Sequence, residues 1–94
     1  MAAKVRPCLV LSVPPSDEND RVLTTVIAHT TSTRGSQFEV KSDVRFLKAG
    51  AFDAQNIVTV PMVKLIRRLG RLPADQMQAV EAAVKRWLGL ETQP

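Results

Sequence analysis

Apolar and polar positions along the chain form several short runs of strand character followed by one stretch of helical spacing. Val5 to Ser12 is mostly apolar and β-rich, the pattern of a strand covered on both faces, with Pro7 placing its start at a sheet edge or in a bulge. Pro14-Pro15-Ser16-Asp17-Glu18-Asn19-Asp20 is polar and rich in turn formers, a solvent loop whose acidic charges would point away from a polyanion. Arg21 to Thr30 predicts a second strand, in a hairpin with the first. Period-2 alternation sets Thr24, Val26, Ala28 and Thr30 on one face and Leu23, Thr25, Ile27 and His29 on the other. Gln37 to Lys41 predicts a third strand. Ser42 to Gln55 is a mixed stretch of turns anchored by Phe46, Leu47 and Phe52. Asn56 to Pro61 predicts a strand, and Lys64 to Leu72 another, broken by Gly70.

From Ala74 to Leu88, residues Met77, Val80, Val84, Trp87 and Leu88 recur at helical spacing, which predicts an amphipathic helix packed on the sheet with Trp87 as a core anchor. Pro73 is tolerated at a helix start, Asp75 favours the positive end of the dipole, and Gly89 supplies a stop. The sum is a mainly β fold with a C-terminal helix: a small, strongly bent antiparallel sheet or open barrel with the helix across it. A length of 94 residues leaves no room for a second core, so residues 1–94 are expected to form a single domain.

Composition narrows the function classes. The apolar runs are far shorter than the twenty or so residues that span a bilayer, and the stretch before Val13-Pro14-Pro15 is too short for a signal-peptide core. A cytoplasmic protein without a membrane helix is expected. One cysteine and one histidine allow no internal disulfide and no structural zinc set, and no metal or cofactor is predicted. Cys8, in an apolar run, reads as an inert buried thiol. The net charge of +4 suits an anionic partner, and the excess lies mainly in Lys64, Arg67, Arg68 and Arg71. Three Phe, one Trp and no Tyr provide few platforms for stacking bases.

Three segments carry a family resemblance. Lys4-Val5-Arg6-Pro7-Cys8-Leu9-Val10-Leu11-Ser12 is similar to the Lys/His-x-Arg-Pro strand of the MazF/PemK toxin ribonucleases. Ile27-Ala28-His29-Thr30-Thr31-Ser32-Thr33-Arg34-Gly35-Ser36-Gln37-Phe38-Glu39-Val40 resembles that family's strand, Thr/Ser-rich turn and Phe-Glu-Val strand. Ala54-Gln55-Asn56-Ile57-Val58-Thr59-Val60, continuing through Leu65 to Leu69-Gly70-Arg71-Leu72 and a helix ending Leu88-Gly89-Leu90, looks like its Gln-(Ile/Val)-x-(Ser/Thr)-(Ile/Val) strand, Gly-x-Leu turn and terminal helix. The family's usual opening strand, of the Gly-Asp-(Ile/Val)-x-x-Val kind, and the loop after it have no counterpart before Arg6.

The resemblance implies the SH3-like barrel shared by CcdB, Kid and MazF, a homodimer, and the toxin of a type II toxin–antitoxin system: a metal-independent endoribonuclease that cuts single-stranded RNA sequence-selectively to 2′,3′-cyclic phosphate and 5′-hydroxyl ends and is restrained by a cognate antitoxin. It implies Arg6 and Thr30 as catalytic residues and Thr31, Arg34 and Gln55 as RNA contacts. Such cleavage must stabilise a phosphorane more negative than the ground state. A guanidinium at Arg6 offers a planar fork to two phosphate oxygens, and the Thr30 hydroxyl can donate to the same group. Gln55 would either contact RNA or tie the site together. His29 is turned away from Thr30 by alternation. From the residues alone, a surface ion pair for Arg6 and a turn-closing hydroxyl for Thr30 are the better readings; with the resemblance, a shared site is. Two other functions fit the same fold: a catalytically impaired dimeric barrel that binds RNA or an antitoxin without cleaving, and a gyrase poison like CcdB.

Overall fold

The computed structural model describes residues 5–90, so Lys4, at the head of the Arg-Pro segment, lies outside the described residues. Strands β1 (Cys8–Val10), β2 (Leu23–Thr30), β3 (Glu39–Ser42) and β4 (Gly50–Pro61) precede a short 3-10 turn at Met62–Lys64 and helix α1 (Ala74–Leu88). The strands form one antiparallel sheet in the order β1-β2-β4-β3.

The eight-residue first strand expected from Val5 to Ser12 shrinks to three residues. Pro7 is the reason at one end: its carbonyl accepts the His29 N–H at 3.2 Å, but its ring nitrogen has no proton to return. β1 also lies at the sheet edge, so it is not covered on both faces. Leu9 is half-buried while Cys8 and Val10 are exposed. Cys8 is therefore an exposed thiol rather than a core one, with partial desolvation raising its pKa above the ordinary 9.0.

β2 lies between β1 and β4 and is buried on both sides, through Thr24 and Val26 on one face and Ile27 and His29 on the other. β4 begins at Gly50, six residues before the predicted start at Asn56, and takes in a stretch expected to be turns. Gly50 to Gln55 holds no β-branched residue; pairing with β2 and β3 at once imposes the strand. Between the Ile27–Ile57 and Ala28–Asp53 pairs, β4 carries three extra residues, Ala54, Gln55 and Asn56. This wide bulge reverses the side-chain parity of β4. Phe52 before it and Ile57 after it consequently face the same side.

That side carries the core. Ile27, Phe52 and Val80 are buried together, with Leu9, Leu11, Val40, Leu47, Ile57, Leu72 and Val84 packed around them. Each fully buried aliphatic or aromatic side chain contributes about 1.5–3 kcal/mol. α1 forms over the predicted span and supplies Val80 and Ala83 from its buried face. It ends in a Schellman motif, with Gly89 at φ +69° and the Leu90 N–H donating to the Lys85 carbonyl at 2.8 Å.

Trp87 is 41% exposed, so it is not the core anchor that the helical spacing predicts. Its ring packs edge-on against Phe38 at 5.3 Å, and Arg86 Nη1 donates to the Gln37 carbonyl at 2.9 Å. The helix end thereby holds the segment leading into β3. The strand predicted from Lys64 to Leu72 is absent: beyond the turn, residues 65–73 have no regular structure. Leu65, Ile66 and Leu69 are exposed, and none of them pairs with a strand of the sheet. Among the described residues no helix is long and apolar enough to cross a membrane.

Within β2, His29 is buried and meets Phe52 edge-on at 5.2 Å. Its Nε2 lies 2.9 Å from Ser42 Oγ, which itself donates to the Gly50 carbonyl at 3.2 Å. The ring must then present a proton on Nε2, and burial pushes its pKa below the ordinary 6.5. Gly50 is fixed by space: a Cβ there would overlap the Thr30 carbonyl oxygen.

Two outcomes follow for stability. Gly50→Ala should cost about 2 kcal/mol or more, because the obstacle is backbone and cannot rotate away; an unchanged urea midpoint would refute this. Because the fold favours neutral His29, the unfolded chain binds the proton first as pH falls. Stability from this group is complete above about 6.5 and declines as the pH drops through its lower folded value. Urea midpoints at about pH 7.5 and about pH 5 should differ more in the native chain than in His29→Gln, which keeps an N–H for Ser42.

Candidate functional site

The register of β1 against β2 pairs Cys8 with Ala28, and two residues further out the same alternation sets Arg6 beside Thr30 on the face opposite the core. Arg6, Thr30, Arg34, Glu39, Asp53 and Asn56 line one cavity of about 240 Å³. Arg6 is exposed, and its guanidinium has no hydrogen-bond or ion-pair partner among the described residues. The surface ion pair that residue chemistry alone favours for Arg6 is thus not formed with any of them.

Thr30 closes a turn, as its chemistry alone suggests. Its Oγ1 accepts the Ser32 N–H at 3.0 Å and lies 3.3 Å from the Ser32 carbonyl. The first bond fixes the oxygen in place. The second is long for a hydroxyl donor, so the proton can turn to a ligand in the cavity at small cost. His29, one residue earlier, directs its imidazole into the core and away from this hydroxyl.

The remaining predicted residues divide. Arg34 shares the cavity of Arg6 and Thr30. Thr31 lines a second cavity of about 510 Å³, together with Thr33, Ser36 and Lys41, on the other side of the same turn. Gln55 lines neither; it is exposed in the β4 bulge, with its N–H donating to Asp53 Oδ1 at 3.0 Å. Its neighbour Asn56 is the bulge amide at the cavity. Asn56 directly precedes Ile57, and counting back from the Ile57, Thr59 and Val60 pattern would have found it. Nothing in the sequence marks Asp53, because its place depends on the bulge. Lys64, Arg67, Arg68 and Arg71 line neither cavity.

Two arginines and two acidic residues therefore line one small opening. The Glu39 carboxylate is engaged by the backbone, accepting the Arg34 N–H at 3.0 and 3.1 Å on its two oxygens and the Ser36 N–H at 3.1 Å. Asp53 has one oxygen on the Gln55 N–H and a second for other use. A planar cation with a hydroxyl donor beside it suits a tetrahedral anion with two equivalent oxygens, and the spare Asp53 oxygen can accept a proton. The described residues contain no cluster of three His, Cys, Asp or Glu side chains able to hold a metal ion.

The model of the PemK-like, MazF-like toxins of type II toxin–antitoxin systems matches residues 2–88. Among solved structures, the Mycobacterium tuberculosis toxin MazF-mt6 is 30% identical, with 93% of this chain and 89% of that one covered and a TM-score of 0.75. A MazE-MazF complex from Deinococcus radiodurans is 26% identical over 92% of this chain and 87% of its own, also with a TM-score of 0.75. An endoribonuclease from a mycobacterial species, solved with its cognate antitoxin, shares the fold at a TM-score of 0.79 and 24% identity, covering 94% of this chain and 84% of that chain. No curated protein matches at comparable significance. The half-barrel with one C-terminal helix is the fold of these MazF toxins.

Proposed function

The chain belongs to the PemK-like, MazF-like toxins of type II toxin–antitoxin systems, and from that premise we propose that it is an endoribonuclease cutting single-stranded RNA without a metal ion. The observation that carries this reading is the shared cavity of Arg6 and Thr30, which lie far apart in sequence and on different strands or their extensions. In the proposed reaction the ribose 2′-oxygen attacks the neighbouring phosphorus, the P–O5′ bond breaks, and the products are a 2′,3′-cyclic phosphate and a 5′-hydroxyl. The 2′-hydroxyl proton passes to the spare Asp53 oxygen, and the leaving 5′-oxygen takes a proton from water.

Arg6 stabilises the extra charge on the phosphorane through two parallel N–H bonds. Thr30 donates to a phosphoryl oxygen from a hydroxyl already oriented by Ser32. Arg34 and Asn56 contact the strand beside the scissile group, and Thr31 contacts it from the adjoining cavity.

A homodimer is part of the proposal. Val10, Val26 and Val58 are paired across three strands on the Arg6 face, and the outer two are 44% and 46% exposed. A second copy would cover them and join two small cavities into one longer groove. The cognate antitoxin would present an acidic, partly disordered segment, complementary to the cationic stretch around Arg67, Arg68 and Arg71.

Cleavage of a mixed-sequence RNA in EDTA tests the reading. Arg6→Ala should lower kcat by about 10³-fold and Thr30→Ala by about 10²-fold, the range for losing a donor to a developing anion, with folding unchanged. Asp53→Asn keeps an acceptor for the Gln55 N–H and should still lose about 10²-fold or more. An RNA that is bound but never cut would favour the impaired barrel instead. Scattering should give a dimer mass at micromolar concentration.

A further inference from the structure

The turn that carries Thr31 to Arg34 is wound around one carboxylate. Gly35 adopts φ +70°, a conformation that lets successive amides converge on a single anion. The Arg34 and Ser36 N–H groups converge on Glu39, the first residue of β3. The Glu39 N–H donates back to the Ser36 carbonyl at 3.1 Å, and the Phe38 N–H donates to Ser36 Oγ at 3.1 Å. Behind them Phe38 rests on Trp87. At its other end the turn is tied to Thr30 by the Ser32 N–H. Glu39 lines both cavities and so forms the wall between them.

A carboxylate beside a proposed phosphate site opposes anion binding through like charge. Its presence there has a physical rationale if it does something the charge alone would not. We propose that Glu39 is a positioning residue: its carboxylate clamps the Ser32 to Ser36 turn through two backbone amides, so that Arg34 and the Thr30 hydroxyl address one phosphate. Glu39 does not touch the RNA. The inference rests on the ribonuclease reading above, but the clamp has readouts independent of cleavage.

The charge account and the clamp account predict opposite signs for Glu39→Ala. Removing a negative charge from a cationic groove strengthens RNA binding and leaves catalysis intact. Releasing the turn lowers kcat by about 10²-fold, the scale of an ångström of misplacement, while the Kd for a non-cleavable RNA changes little. Glu39→Gln retains one carbonyl acceptor and should stay within about tenfold of the native chain. Acetate should restore part of the Glu39→Ala activity by refilling the two amides.

Amide hydrogen exchange supplies the independent readout: Arg34 and Ser36 should lose protection in Glu39→Ala and regain it in acetate, with α1 amides unaffected. A Glu39→Ala protein with native kcat and tighter RNA binding would overturn the proposal. So would a Glu39→Gln protein as inactive as Glu39→Ala while keeping protected Arg34 and Ser36 amides. Should the native chain fail to cut RNA, the ribonuclease reading falls, and unchanged exchange at Arg34 and Ser36 in Glu39→Ala would separately sink the clamp. If Glu39→Ala does not fold, Glu39→Gln decides through the same two amides.

Discussion

The antiparallel pairing of β2 with a neighbour on each side is the constraint from which the rest of the structure follows. Alternation along that strand sends His29 to one face and Thr30 to the other. One face must satisfy burial, and it does so with an imidazole whose polar edge is occupied by Ser42. The other face buries Thr24 and Val26 and carries the cavity at its Thr30 end. A register slip of one residue would exchange these roles and leave a hydroxyl in the core and an imidazole in the groove. The strand therefore fixes the core and the site in a single geometric choice.

The β4 bulge is what lets both choices coexist in the partner strand. Without the three extra residues, β4 could not present Phe52 and Ile57 to the same side. The same excursion turns Asn56 toward Arg6 and leaves Gln55 outside. Packing and site chemistry thus share one irregularity, and its short polar sequence, with Asp53 capping the Gln55 N–H, is suited to holding it.

Legibility in the sequence tracked how local the cause was. α1 was readable to its ends because its stripe, Asp75 and Gly89 are all signals within the element. β2 was readable from its own β-branched residues. The opening half of β4 was not, since Gly50, Ala51 and Phe52 have weak strand preference and owe their state to neighbours on both sides. The Lys64 to Leu72 stretch shows the converse: apolar residues of strand character that pair with no strand of the sheet. At the site, Arg6 and Thr30 could be singled out from motif order, whereas Asp53 required a bulge that no local pattern announces. Glu39 lay within a recognised segment, but its two amide partners became evident only from the turn geometry.

Val80 completes the buried trio with Ile27 and Phe52 from near the C-terminal end of the described residues. Synthesis proceeds from the N-terminus, so a nascent chain exposes Arg6 and Thr30 long before it owns the helix that locks the sheet beneath them. The core beneath the cavity is consequently incomplete until Val80 has been synthesised.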